Sequence, residues 1–176
     1  VWLDRPVSEI TLQALSELLS LGPTAANGSP GRFLFLRSNE AKERLRSHLS
    51  AGNLTQTMTA PVVAFVCYDL AFHDKFETLW PDNEEVRAWF EGNEEKLLEA
   101  AFRNSTLQGA YMIIAVRALG LDCGPMSGID ADGVNREFFA NSTIRVNFLC
   151  NLGHGDPAAL PPRKPRLAFD DAAEVI

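Results

Sequence analysis

Leu107-Gln108-Gly109-Ala110-Tyr111-Met112-Ile113-Ile114-Ala115-Val116-Arg117-Ala118-Leu119 is the stretch on which the fold turns. It reads as the second half of a helix running from about Glu94 to Gly120. At 3.6 residues per turn its apolar side chains fall on nearly every face, so the helix must be covered all round. A chain of 176 residues has few other elements to wrap it. A second subunit would supply the missing cover. The alternative is a central helix enclosed by the chain's own sheet and neighbours.

Working outward, Ala60 to Tyr68 is a continuous apolar run rich in β-branched residues, the pattern of a strand buried on both faces. Thr143 to Leu152 reads as a second central strand, and Phe33 to Leu36 as a short one. Ser8 is placed to cap a first helix whose stripe is Ile10, Leu12, Leu15, Leu18 and Leu19, ended by Gly22-Pro23. Asn39 opens an amphipathic helix to about Leu49. Residues 70–90 suit short helices broken at Pro81. Beyond Pro157 the chain is proline-rich and extended. The expectation is one α+β domain over residues 1–176, with helices packed round a modest sheet. The first residue is not Met, so residues upstream of Val1 are expected.

The net charge of −7 argues against a nucleic-acid partner, which selects a basic face. No apolar run approaches the roughly 20 residues of a membrane span, so no membrane partner is expected. Cys67 and Cys150 lie in apolar runs and Cys123 stands apart from both. Free thiols in a reducing, cytoplasmic setting are the expectation.

Familiar catalytic signatures are missing. There is no G-x-G-x-x-G and no P-loop. His48, His73 and His154 lie far apart with no acidic or thiol neighbour at ligand spacing, so no metal is expected. Gly124-Pro125-Met126-Ser127-Gly128 has the wrong spacing for a nucleophile elbow. Side chains that do not advertise chemistry suit an enzyme whose cofactor performs the hard step, and no catalytic side chain is named.

Three segments offer ligand chemistry. Thr24-Ala25-Ala26-Asn27, within Pro23–Pro30, combines small residues with hydrogen-bonding side chains, although a plain helix-ending turn reads the same way. Pro125-Met126-Ser127-Gly128 is a glycine- and proline-rich turn whose N–H groups can donate to an electron-rich atom. Arg163, Lys164 and Arg166 are three cations among stiffening prolines, either a phosphate clamp or a solvated tail.

These segments, taken in order, resemble the nitroreductase family. The matching residues are Gly22–Pro30, Gly52-Asn53-Leu54 ahead of Ala60-Pro61-Val62, Ala101–Ser105, Ala118–Asp122 with Gly124–Gly128, and Pro165-Arg166-Leu167. Within the family the resemblance is to the branch that reduces malonic semialdehyde. It implies a nitroreductase-like fold: a central mixed sheet surrounded by helices, in a homodimer with FMN at each of two interface sites. NADH or NADPH would be the co-substrate in a ping-pong cycle through flavin N5.

By position, the resemblance puts Thr24, Ala25, Ala26 and Asn27 against the partner's flavin, and aims the Pro125–Gly128 amides at N5. It places Lys164 and Arg166, with Arg163, at the ribityl phosphate. The acceptor would be a small 3-oxo acid such as malonic semialdehyde; Arg32, directly after the turn, either holds its carboxylate with help from Arg103 or merely leads into the Phe33 strand and points to solvent. A broad reductase of nitroaromatics or quinones is the alternative, and a flavin-binding protein without useful turnover a second one. Three features depart from the family pattern. Its N-terminal arginine segment would lie upstream of Val1. Ser29-Pro30-Gly31 replaces the usual Gln-Pro-Trp. Ser127 stands where an acidic residue is usual.

Overall fold

The computed structural model describes all residues from Val1 to Ile176. Four strands form one sheet in the order β1 (Gly31–Leu36), β2 (Val62–Asp69), β4 (Ile144–Gly153), β3 (Asp122–Met126). Every neighbouring pair is antiparallel, which corrects the expectation of a mixed sheet. The reason lies in the connections. The β1–β2 link and the β3–β4 link each return the chain at the end where it left, whereas a parallel pair needs a crossover over one face.

Helices cover both faces. On one side α1 (Glu9–Ser20) and α5 (Glu94–Ala118) meet Val62, Ala64, Val66, Cys150 and Leu152. On the other, α2 (Asn39–Arg46) and α6 (Ala131–Phe138) cover Val63, Phe65, Cys67, Val146 and Leu149. The alternation along β2 therefore feeds two cores, and Val62 to Cys67 are all fully buried. That is why its sequence is apolar without interruption. A third cluster, Phe72, Phe76, Val86, Phe90 and Ala101, is built largely from the link between β2 and α5, which includes α4 (Phe76–Leu79).

Local chemistry sets the helix ends. Ser8 accepts from the Thr11 amide, Ser38 from Ala41 and Asp130 from Gly133, each supplying one of the donors a helix start leaves unpaired. α2 stops at Arg46, earlier than the sequence suggests. A further helix, α3 (Ala51–Thr59), follows where none was expected. No helix is long and apolar enough to cross a membrane. After β4 the chain runs exposed through Pro157–Ile176, with one short helix, α7 (Phe169–Ala172).

The long helix is not enclosed by its own chain. Met112, Ala115 and Val116 face the core, while Leu98, Phe102, Leu107 and Ile114 lie open, Ile114 at 70% exposure. The register of β2 against β4 skips one residue between Val66 and Cys67. The extra residue is Asn147, whose amide reaches across to Ser105 and Thr106 of α5. α5 lies tight against the sheet at Gly109, where a Cβ would meet Phe148 Cζ at 2.7 Å and Val66 Cγ1 at 3.0 Å.

Alanine ordinarily stabilises a helix interior relative to glycine. Here Gly109→Ala is expected to do the reverse. Forcing the Phe148 ring aside should lower unfolding free energy by about 1–3 kcal/mol in urea denaturation. A gain in stability would show that α5 can lift off the sheet without cost.

Candidate functional site

The turn that follows α1 holds three non-glycine residues at positive φ: Ala26 at 54°, Asn27 at 52° and Ser29 at 39°. Such conformations cost on the order of 1–2 kcal/mol each and persist only where surrounding contacts hold them. Those contacts are explicit. Asn104 Oδ1 accepts from the Ala25 amide at 2.7 Å, and Gln108 Oε1 accepts from the Gly31 amide at 2.7 Å. Thr24 Oγ1 accepts from Ser29 N, and Asn27 Nδ2 donates to the Leu79 carbonyl. Asn104 and Gln108 are 4% and 5% exposed, one helical turn apart on the buried side of the helix. That i, i+4 polar pair was the signal in the sequence, but the helix was read for its apolar residues and neither side chain was given a role.

Arg32 belongs to the same clamp. Its Nη1 donates to the Ser29 and Gly31 carbonyls, and its Nη2 meets Asp69 Oδ2 at 2.8 Å. Burial alone would raise the Asp69 pKa. Hydrogen bonds from Thr143 and the Ala71 amide, with the Arg32 charge, outweigh it and hold the carboxyl below its usual range. An incoming carboxylate would find only Nε and one Nη2 hydrogen uncommitted. Arg103 lies elsewhere, paired with Glu99 on the exposed side of α5.

The second element is the loop after β3. Residues Ser127 and Gly128 lie beyond the ladder, and neither amide donates to any group in the chain. The loop is fixed from behind by α3 and the residue before it. Asn53 Nδ2 donates to the Gly128 carbonyl, and the Ser50 amide does the same. A Cβ at Gly128 would sit 2.6 Å from Ser50 Oγ and 2.7 Å from Asn53 Nδ2, so a larger residue would have to push aside the side chains that back the loop. Thr57 donates to Met126 Sδ and accepts from Asn151 Nδ2, while the fully buried Asn151 Oδ1 has no partner. Of these supports only Asn53 stood out in the sequence. Ser50, Thr57 and Asn151 carry no local signal of their role.

The third element is the tail. Arg163, Lys164 and Arg166 are all exposed, and Arg166 bonds only to the carbonyls of Lys164 and Pro165. One chain therefore does not bring its candidate residues together. Thr24–Asn27 rests on α5 and the Leu79 carbonyl, Pro125–Gly128 rests on α3, and the tail cations touch neither.

Comparison with known proteins supplies the frame for these parts. The model of the nitroreductase family matches residues 2–154. A Burkholderia lata protein provisionally named NADH dehydrogenase/NAD(P)H nitroreductase is 54% identical over 174 residues, covering 99% of this chain and 89% of its own. A Stenotrophomonas maltophilia protein of the same provisional name is also 54% identical, covering 99% and 88%. Among solved structures, a provisional nitroreductase of Exiguobacterium sibiricum in complex with FMN superposes with a TM-score of 0.86 at 23% identity, over 98% of this chain and 89% of that one. That likeness shows the fold. A family match across nearly all of the ordered body, with relatives above half identity over the whole chain, settles membership: the chain belongs to the nitroreductase family.

Proposed function

We propose that two copies of this chain form a homodimer that binds FMN at each interface, oxidises NADH or NADPH, and passes the hydride to a small 3-oxo acid such as malonic semialdehyde. The observation that carries the reading is the pair of unpartnered amides at Ser127 and Gly128, rigidly backed by Asn53 and Ser50. Donors fixed in advance stabilise charge that develops on a bound ring more than mobile water can. Bound FMN supplies a two-electron centre that accepts hydride from a nicotinamide and returns it to an acceptor.

The chain's own residues do the rest. Ser127 N and Gly128 N hold the reactive edge. The clamped Thr24–Asn27 turn of the second copy closes the opposite side. Lys164 and Arg166, with Arg163, offer cations to the ribityl phosphate. The exposed apolar side chains Leu98, Phe102, Leu107 and Ile114 of α5 are the surface a second copy would cover. The nicotinamide and the acceptor use one space in turn, so the kinetics are ping-pong.

A broader reductase of nitroaromatics or quinones is the second reading. It is favoured by the commitment of Arg32 to Asp69, which leaves the site less equipped for a carboxylate.

The purified full-length protein is expected to show flavin absorbance, to bleach with NAD(P)H without oxygen, and to give parallel double-reciprocal lines with an acceptor. A colourless protein that also fails to take up added FMN would defeat the reading. Ile114→Asp is expected to leave a folded monomer, because that side chain is already open to water in one chain. Sedimentation should then show loss of the dimer together with loss of bound flavin. A dimeric, flavin-loaded variant would move the interface elsewhere. Arg32→Met separates the two acceptor classes. If Arg32 orients a 3-oxo acid, kcat/KM for malonic semialdehyde should fall roughly ten- to hundred-fold more than that for an uncharged quinone. An equal fall in both would leave Arg32 as a residue that only holds the turn.

A further inference from the structure

We infer that the chain carries a second anion site, independent of the flavin site, which takes a phosphate dianion between the N-terminal segment and α2. A concave pocket of about 560 Å³ opens there, lined among others by Asp4, Arg5, Arg37, Lys42 and Thr59. It shares no residue with the Thr24–Asn27 turn, the Pro125–Gly128 loop or the tail cations. The chain as a whole is acidic, yet this lining sets three cations against one carboxylate.

Two of the three cations, Lys42 and Arg5, have no counter-ion within the chain, and the third, Arg37, has only a long, exposed one. Lys42 is 6% exposed, and its ammonium donates only to carbonyls, Ala60 at 3.0 Å and Met58 at 3.4 Å. Those bonds help close the end of α3 but leave one donor and the full charge uncompensated. A buried cation without a counter-ion is costly, and an anion entering the pocket would remove that cost. The Arg5 guanidinium has no partner in the chain, and Arg37 reaches only the well-exposed Glu9 at 3.9 Å. Asp4 pairs with none of the three. With Glu9 counted beside Arg37 one positive charge remains in excess, and a phosphate monoester or free phosphate, which carries about −1.5 to −2 at pH 7, would draw Arg37 from that long, exposed contact. Two planar guanidinium forks beside an ammonium suit its three terminal oxygens. The volume falls in the range of small-molecule sites, leaving room for an organic group on the phosphate.

The test titrates the full-length, flavin-loaded protein with orthophosphate and, separately, with glycerol 3-phosphate. Chloride at matched ionic strength is the control, and calorimetry and melting temperature are the readouts. Saturable binding of either phosphate with unchanged flavin absorbance is expected. Tighter binding of glycerol 3-phosphate would identify a phosphorylated metabolite as the occupant, and tighter binding of orthophosphate the free ion. Lys42→Met should abolish the binding. Because Lys42 also supports α3, the double variant Arg5→Gln/Arg37→Gln, altered only at exposed positions, is the deciding one. It should keep its fold and its flavin while binding phosphate at least tenfold more weakly. Equal effects of phosphate and chloride, or unchanged affinity in the double variant, would overturn the proposal. So would release of flavin by phosphate, which would mean that the anion competes at the flavin's own site. If the protein carries no flavin, the same titration still decides the question, since the pocket does not depend on that reading.

Discussion

The contact on which the rest of the structure depends is the close seating of α5 on the sheet at Gly109. With no Cβ between them, the helix backbone rests against the Phe148 ring and Val66. Close packing at this point lets Met112, Ala115 and Val116 enter the main core. It also sets the rotation of the helix, and so decides which residues face where. Asn104 and Gln108 are turned to the loop after α1, Ser105 and Thr106 to the bulged Asn147, and Leu98, Phe102 and Ile114 outward. A rotation of one residue would bring Arg103 and Leu107, or Ser105 and Gly109, to the amides that Asn104 and Gln108 now satisfy. Three tasks of one helix therefore rest on one missing methyl group.

The strain at Ala26, Asn27 and Ser29 is the counterpart of that arrangement. The turn does not hold its shape by propensity; it is held by buried side-chain acceptors from α5 and by the Arg32–Asp69 pair. The loop at Ser127 and Gly128 is fixed in a different way, by a glycine pressed against Ser50 and Asn53. In both places hydrogen-bonding groups are positioned before any ligand arrives, which lowers the ordering cost of binding. The cations at Arg163–Arg166 have no such support within one chain.

Much of this was legible in the sequence where one residue type has one physical meaning. The unbroken apolar run of β2, the serine cap of α1, and the length of α5 all follow from burial and unpaired amides. What escaped was set by tertiary partners. α3 has only Leu54 and Met58 as large apolar residues, so no stripe marks it as a helix. It is held through Asn53 and Thr57, which bond to residues of the β3 loop and of β4. Strand direction is absent from a periodicity of two, so nothing in the strands corrected the mixed sheet that the resemblance implied. The commitment of Arg32 to Asp69 depends on the β1–β2 register, which no local pattern reveals. Of the candidate site, the two loops were visible as composition, while the side chains that fix them were not.

The aromatic cluster between β2 and α5 has a consequence for how such a chain can diversify. Phe72, Phe76, Val86 and Phe90 pack chiefly on one another and on Ala101, apart from both faces of the sheet. A miniature core of this kind can exchange its rings, or lengthen its loops, without disturbing the packing of α5 on the sheet. It reaches the strained turn through Ala26, which packs on the cluster, and through the bond from Asn27 to the Leu79 carbonyl. Substitutions there can reshape the surroundings of the turn while the machinery beneath stays constant. New acceptor preferences can then arise in a semi-autonomous module, at little risk to folding.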